Sequence, residues 1–299
     1  MKILLTGSTG FIGSNFTRQA LARGHQVAGL ALANETLPAD LPASDNMRWL
    51  RGTLDDAPWN EIEAFGADVC IHAAWITTPG VYLESPENFR FLESSKNFLA
   101  RVRELGTKHI IGIGTCVEYK ISGEPLSEEK TPVAPTTVYA RCKNDLRLAM
   151  EAEAKAHGFT FCWARVFYPY GPGEHPSRLC SSIIQKLSRD EMIVLKTPDS
   201  TKDYIFIDDL AAALLTVLEK KFAGTINLGS GVGVSVREIA QTLVRMMGKT
   251  GLVSKANPPE VDPFGYVVAD NSRLRRLGWQ PAYTMAQGLQ KLLEKHRSQ

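Results

Sequence analysis

Short apolar runs alternate with longer amphipathic stretches through the first half of the chain. Strand-length runs fall at Lys2 to Thr6, Gln26 to Leu32, Met47 to Leu50, Asp68 to Ala73, His109 to Gly114 and Thr160 to Val166. Between them, apolar residues recur at helical spacing from Phe11 to Arg23, Pro86 to Leu105 and Thr137 to His157. Each helical stretch stops at a glycine (Gly24, Gly106, Gly158), the residue that closes a helix in the left-handed conformation without a Cβ penalty. This alternation predicts βαβ units and a parallel sheet covered on both faces, a Rossmann-type doubly wound α/β fold.

After Val166 the pattern changes. Tyr168-Pro169-Tyr170-Gly171-Pro172-Gly173 is rich in turn residues and continues neither period. A helix is predicted near Arg178 to Ser188, a strand at Ile193 to Leu195, a helix from Asp208 to Lys220, a strand at Thr225 to Leu228 and a helix from Ser235 to Met247. A loop at Asn257-Pro258-Pro259 precedes an apolar run from Tyr266 to Ala269 and a last helix from Met285. The expected division is a larger domain over 1–167, with 204–229 returning to it, and a smaller lobe made of 168–203 and 230–299. There is no internal repeat and no low-complexity segment.

Composition bounds the function more than the fold. Of 299 residues, 44% are hydrophobic and 22% charged, the balance of a globular chain with a sizeable core. A net charge of +2, with no basic block interleaved with aromatics, gives no electrostatic reason to bind nucleic acid. The apolar run after Met1 and Lys2 is too short for a secretory signal or a membrane span, so a cytoplasmic protein without membrane contact is expected. The five cysteines, Cys70, Cys116, Cys142, Cys162 and Cys180, are widely spaced with no Cys-x-x-Cys pair. They read as buried small side chains, and neither disulfides nor a metal site is expected.

Candidate chemistry starts at the first strand-to-helix turn, Thr6-Gly7-Ser8-Thr9-Gly10-Phe11-Ile12-Gly13. There Gly7 permits a tight turn, Gly10 removes a side chain that would collide with a phosphate, and Gly13 brings the helix close to the sheet. The helix start adds N–H donors and a dipole that favours an anion. A dinucleotide site is therefore predicted, with Gly7, Thr9, Gly10, Phe11, Ile12 and Gly13 around the pyrophosphate, and the 1–167 domain becomes the dinucleotide-binding one. The residue reading the adenosine ribose should lie at the end of the second strand, at Ala31 or Leu32. Neither is acidic, so one barrier to a 2′-phosphate is missing, and the choice between NAD and NADP leans slightly to NADP.

Tyr139 and Lys143 are four apart in a helical stretch and project from one face about a turn apart. A free phenol titrates near ~10. An ammonium beside it, with a cationic nicotinamide, favours the phenolate enough for proton exchange near neutral pH. Thr115 follows the apolar strand Ile110-Ile111-Gly112-Ile113-Gly114, and in a parallel sheet that strand end faces the ligand crevice. A hydroxyl there can hydrogen-bond a substrate oxygen while Tyr139 transfers its proton. The combination predicts hydride transfer to or from a carbonyl or alcohol, with Thr115, Tyr139 and Lys143 as the catalytic group.

Together these elements resemble the extended short-chain dehydrogenase/reductase family, the NAD-dependent epimerase/dehydratase branch that modifies nucleotide-sugars. The resemblance covers nearly the whole chain. Thr6 to Gly13 is similar to the family's cofactor loop, Ile71-His72-Ala73-Ala74 to its fourth-strand motif, and Tyr139-Ala140-Arg141-Cys142-Lys143 to its catalytic pair. Arg165 to Gly173 resembles the segment that closes over the nicotinamide, and Lys202 to Leu210 the segment containing Arg-Asp. Asn227-Leu228-Gly229-Ser230-Gly231 resembles the strand and loop that follow, and Asp270 with Leu277-Gly278-Trp279-Gln280-Pro281 the C-terminal end. The resemblance implies that Ala73, Ala74 and Tyr168 join Tyr139 and Lys143 at the cofactor. It also implies a nucleotide-sugar substrate in the smaller lobe and a homodimer with Pro86 to Leu105 and Thr137 to His157 as the contact.

The departures bear on the substrate. Family dehydratases follow the catalytic Thr with Asp-Glu; here Cys116 and Val117 follow, which argues against dehydration. Lys202 stands in place of an arginine on the substrate pyrophosphate, keeping the charge but losing the bidentate fork. The place of a second arginine falls near Glu260. His175 lies where some family epimerase-reductases carry a histidine acid, and a solvated loop histidine is the other reading. Arg178 reaches an anionic substrate or is simply exposed. Cys116 and Glu118 either enter the pocket or serve as a buried thiol and a helix-start acid. Trp75, Thr77 and Thr78 would line the crevice mouth. The expected protein is an NAD(P)-dependent nucleotide-sugar oxidoreductase, a 4-keto-sugar reductase first and a 4-epimerase with tightly held NAD second. A non-catalytic dinucleotide-sensing regulator is the rival from another class, and the presence of both Tyr139 and Lys143 argues for an enzyme.

Overall fold

The computed structural model describes residues 1–39, 41 and 44–298. The chain opens with β1 (Lys2–Thr6), α1 (Phe11–Ala22), β2 (Gln26–Ala31), β3 (Met47–Arg51), α2 (Trp59–Phe65), β4 (Val69–His72), α3 (Glu87–Glu104) and β5 (His109–Thr115). A 3-10 turn at Cys116–Glu118 leaves β5, followed by α4 (Val138–His157), β6 (Thr160–Val166), β7 (Tyr168–Tyr170) and α5 (Leu179–Ser188). Then come β8 (Ile193–Leu195), β9 (Thr201–Phe206), α6 (Ile207–Glu219), β10 (Gly224–Leu228), β11 (Gly233–Ser235) and α7 (Val236–Met247). The chain ends with β12 (Val253–Lys255), β13 (Tyr266–Val267), α8 (Ser272–Arg276) and α9 (Met285–Arg297).

Seven strands pair in the order β10-β6-β5-β4-β1-β2-β3, every neighbour parallel. This is the Rossmann-like α/β sheet that the alternating pattern predicts, with β10 added beside β6. The order reverses between β1 and β4, and in open parallel sheets a crevice forms past the strand ends at such a switch point. Alternate strand residues point to opposite faces. Ile3 and Leu5 therefore pack with Phe16 and Ala20 of α1 and Leu210 and Leu214 of α6. Leu4, between them, packs with Phe98 and Leu99 of α3 and Leu146 of α4. Strands buried on both faces must be apolar throughout, and the continuous run Ile3-Leu4-Leu5 reflects that.

A smaller sheet orders β11-β9-β13, with β7 also paired to β9, and β12 pairs with β8. The turn-rich segment after Val166 thus contains a strand the sequence pattern did not predict. Pro169 is accommodated because β7 pairs with β9 alone, leaving an edge where a missing N–H costs no ladder bond. Residues 204–206 belong to β9 in this smaller sheet. The chain returns to the large sheet through α6, whose Asp208 carbonyl accepts a bond from Gln19 of α1 at 2.8 Å, and through β10. Among the described residues no helix is long and apolar enough to cross a membrane, and no cluster of His, Cys, Asp or Glu could hold a metal ion.

Candidate active site

The turn from β1 to α1 is built on backbone proximity. Gly7 has φ 68°, and a Cβ on it would lie 2.8 Å from the Ala73 carbonyl carbon and the Ala74 nitrogen. A Cβ on Gly13 would sit 2.1 Å from the Gly7 oxygen, so α1 is seated against the loop itself. Gly10 meets nothing nearer than that oxygen at 3.3 Å and opens onto a cavity. It is also the N-cap of α1, with no side-chain cap and no acidic residue in the first turn. The first amides of the helix and its dipole are left to an anion. The cavity measures about 840 Å³ and is lined by Gly7, Thr9, Gly10, Phe11, Ile12 and Gly13, by Ala73, Ala74, Trp75 and Thr77 beyond β4, and by His175 and Arg178. A cleft of that size beside an uncapped helix start fits a dinucleotide.

Behind the loop, His72 fixes the end of β4. Its Nδ1 is 2.9 Å from Thr6 Oγ1 and its Nε2 is 2.9 Å from Ser95 Oγ, which itself donates to the Phe91 carbonyl. Thr6 Oγ1 also accepts the Ala74 N–H at 3.2 Å. These directions are satisfied by a neutral imidazole donating from Nε2. Burial, and then the nearby Lys143, bring His72 down to about 3, so it stays neutral.

Beyond β2, Leu32 and Glu35 both line the cavity; Glu35 accepts from Thr9 Oγ1 at 2.6 Å and from the Leu32 N–H at 3.1 Å. Arg51 of β3 ties this loop down by donating to the carbonyls of Leu32 and Glu35.

Thr115, Tyr139 and Lys143 converge at the end of β5. Thr137 caps α4 by accepting the Ala140 N–H at 3.2 Å, and the Tyr139 N–H donates to Leu83 at 2.9 Å, which sets the first helical turn. The Tyr139 ring stands edge-on to Tyr82, with centroids 4.9 Å apart, and its hydroxyl faces the Thr115 side chain. Burial above all, and then Tyr82 and Glu118, push the phenol well above its ordinary range, while the nearby Thr115 hydroxyl opposes this. Lys143 Nζ donates to the Ile113 carbonyl at 2.8 Å and lies 4.0 Å from the Trp75 ring centroid. Burial brings Lys143 down to about 7, opposed by Glu118. The three side chains are buried and do not line the cavity; Trp75 lines it and covers Lys143.

The remaining expected site residues are placed unevenly. The Cys116 thiol is buried beside Thr115 and pushed up to about 12, chiefly by that burial. Lys202 Nζ lies 5.7 Å from the Tyr168 ring centroid, but its charge is engaged by Asp262 at 2.8 Å and by the Phe264 carbonyl. It does not line the cavity. His175 is exposed at the rim, where its Nδ1 is occupied locally by Ser177. Arg178 lines the cavity and faces Tyr82, which links the rim to the ring beside Tyr139. Sequence reasoning missed Tyr82, Glu35 and the buried Glu174, which accepts the Ser181 N–H at 2.8 Å. All three come from irregular segments with no periodic pattern to flag them.

Sheet, glycine turn and strand-end hydroxyl define a dinucleotide-binding α/β protein. More specifically, the chain belongs to the NAD dependent epimerase/dehydratase family, whose model matches residues 3–229. It is 27% identical to a UDP-glucose 4-epimerase of Corynebacterium glutamicum, over 95% of this chain and 92% of that protein. It is 25% identical to a dTDP-glucose 4,6-dehydratase of Streptomyces niveus, over 99% and 93%. Among solved structures it is similar to the UDP-glucose 4-epimerase of Thermus thermophilus in complex with NAD, with TM-score 0.85, 24% identity and 99% of each chain covered. The UDP-glucuronic acid 4-epimerase of Bacillus cereus, in complex with UDP-glucuronic acid and NAD, gives TM-score 0.86 at 22% identity over 100% of this chain and 99% of that one. At those identities the structural likeness speaks for the fold.

Proposed function

We propose that the protein is an NAD-dependent nucleotide-sugar oxidoreductase acting at a sugar ring carbon, with Tyr139 as its acid and base. The observation that carries this reading is the convergence of Thr115, Tyr139 and Lys143 at the end of β5, beside a cleft with an uncapped helix start. The dinucleotide, when bound, supplies the hydride donor or acceptor. Gly7, Thr9, Gly10, Phe11, Ile12, Gly13, Ala73, Ala74 and Tyr168 are assigned to holding it. The Thr115 hydroxyl orients the reacting oxygen of the substrate, and Tyr139 passes a proton to or from that oxygen. Lys143, poised near neutrality, lowers the cost of the phenolate when charged. Trp75 keeps water from Lys143. Trp75, Thr77 and Cys116 of the 1–167 domain, with His175 and Arg178 of the lobe formed by 168–203 and 230–299, are assigned to the substrate. Lys202 joins them by exchanging Asp262 for a substrate phosphate.

The net reaction we assign first is reduction of a 4-keto-sugar. A buried phenol held in its protonated form suits a step in which the carbonyl oxygen takes up a proton. A 4-epimerase is the second reading, supported by the names of several relatives. Dehydration has less support: Cys116 is a poor acid, and Glu118 is turned inward onto Arg165. Glu35 supports NAD over NADP, because its carboxylate would repel a 2′-phosphate. A homodimer through α3 and α4 is supported by the exposed Phe89 and Leu148 on those helices; a monomer by sedimentation would refute it. The chemistry is tested with UDP-glucose, UDP-glucuronate and dTDP-4-keto-6-deoxyglucose. A reductase consumes NADH in proportion to product, and an epimerase interconverts sugars with no net change in NADH. Absence of both, or full activity in Tyr139→Phe, would overturn the proposal.

A further inference from the structure

Among the buried carboxylates that the reaction described above leaves unused, Glu118 lies next to the Thr115, Tyr139 and Lys143 group. Glu118 has no exposed surface, and it accepts from the Thr115 N–H at 2.8 Å, from Trp163 Nε1 at 3.0 Å and from Arg165 Nε at 2.8 Å. The Arg165 guanidinium lies over the Tyr119 ring at 4.2 Å, and the Tyr119 hydroxyl donates to Asn227 of β10 at 2.8 Å. β5 makes room for this network. A Cβ on Gly114 would lie 2.3 Å from Trp163 Nε1 and 2.8 Å from Glu118 Oε1, and one on Gly112 would lie 2.6 Å from the Trp163 ring. Glycines inside a strand mark such close approaches. A well-packed apolar pair is often at least as stable as a buried ion pair, so stability alone gives little reason for this one.

Its placement gives a better reason. Glu118 holds the N–H of Thr115, while Lys143 holds the carbonyl of Ile113, two residues back on the same strand. Carboxylate and ammonium thus bracket the stretch of β5 that carries the Thr115 hydroxyl. The groups facing Tyr139 are Tyr82, Glu118, Thr115 and Cys116. Lys143 faces Glu118 and the neutral His72, and Glu118 itself faces Arg165 and Tyr119. Further out, Cys116 faces Lys202 and Asp203, and Tyr82 faces Arg178. Of these, Glu118 is the carboxylate that faces both Tyr139 and Lys143.

We propose that Glu118 is a positioning residue for the Thr115, Tyr139 and Lys143 group: it anchors the Thr115 backbone and places its carboxylate at the end of β5, two residues along the strand from the carbonyl that holds Lys143. Arg165 is its counter-ion and Trp163 a second donor. The inference rests on the roles assigned to those three residues, and it is tested without requiring turnover. Protein carrying lysine labelled with carbon-13 at Cε and saturated with NAD is titrated by NMR, and the Lys143 signal is identified by its loss in Lys143→Arg. In Glu118→Gln, of equal shape and no charge, the Lys143 midpoint is expected to fall by about one unit, a tenfold change in the ionisation constant. Glu118→Asp keeps the charge but withdraws it from β5, so its midpoint should fall between the two. An unchanged midpoint in folded Glu118→Gln overturns the proposal. If that variant does not fold, Glu118→Asp decides, with a lowered midpoint in support and an unchanged one against. Failure to turn over any nucleotide-sugar would count against the proposed function and leave this titration intact.

Discussion

Replacing Lys143 with methionine should separate stability from function. Methionine follows the lysine stem and carries no charge. Lys143 is 2% exposed, and burial lowers its ammonium from 10.5 to about 7. The difference, 10.5 − 7, is about 3.5 units, which at about 1.36 kcal/mol each costs the folded protein on the order of 5 kcal/mol below pH 7. Below pH 7 the group is charged in both folded and unfolded chains, so the whole cost is felt. Between pH 7 and 10.5 the folded protein has released a proton that the unfolded chain still binds, so the cost fades and stability rises with pH. Methionine also leaves the Ile113 carbonyl without its donor, a loss of about 1–3 kcal/mol, and removes a cation from the Trp75 face, about 1–2 kcal/mol. The expected balance is a net gain of roughly 0–3 kcal/mol at pH 6 that has become a loss near pH 10. Urea unfolding of cofactor-free protein at several pH values measures it, while turnover should vanish at all of them. A variant less stable than its parent at pH 6, or a difference independent of pH, would refute the reasoning.

Glu35→Ala should shift the preference from NAD toward NADP by about tenfold, on the order of 1.4 kcal/mol, read by fluorescence titration with both dinucleotides. An unchanged ratio would remove Glu35 from the cofactor site. Gly13→Ala forces a Cβ to within 2.1 Å of the Gly7 oxygen; NAD binding should weaken at least tenfold and calorimetry should show a lowered Tm, whereas parental affinity would contradict the loop geometry. His175→Ala should leave kcat within about threefold, since the ring sits at the rim with its Nδ1 occupied by Ser177. A hundredfold loss would restore it as an acid.

The local features of the fold were the legible ones. The β1–α1 glycine turn, the Tyr139 and Lys143 spacing and the continuous strand runs are each set within a few residues, where period and backbone sterics speak directly. Gly158, for instance, ends α4 at φ 70°, as its place after the helical stretch predicts. Contacts between distant segments left no such trace. The Glu118–Arg165 pair joins residues 47 apart and the Lys202–Asp262 pair residues 60 apart. Glu35 lies in a loop whose path, not its sequence, carries it to Thr9. The strand in Tyr168–Tyr170 depends on pairing with β9, which no local pattern announces. The two glycines of β5 were a readable hint, since interior strand glycines mark close approach; their reason, Trp163 with Glu118, becomes visible only in three dimensions.

The central claim is that Tyr139 works with a dinucleotide that takes hydride from, or returns it to, a sugar ring carbon. Incubating the NAD-loaded protein with UDP-glucose deuterated at C4 tests this most directly, by mass spectrometry of the dinucleotide and the sugar recovered after a single turnover. Deuterium is expected on the dinucleotide where the oxidised sugar is released, or back at C4 of the epimerised sugar where the cycle closes, and neither outcome in Tyr139→Phe. Deuterium lost to water during sugar turnover, or transfer undiminished in Tyr139→Phe, would contradict the claim.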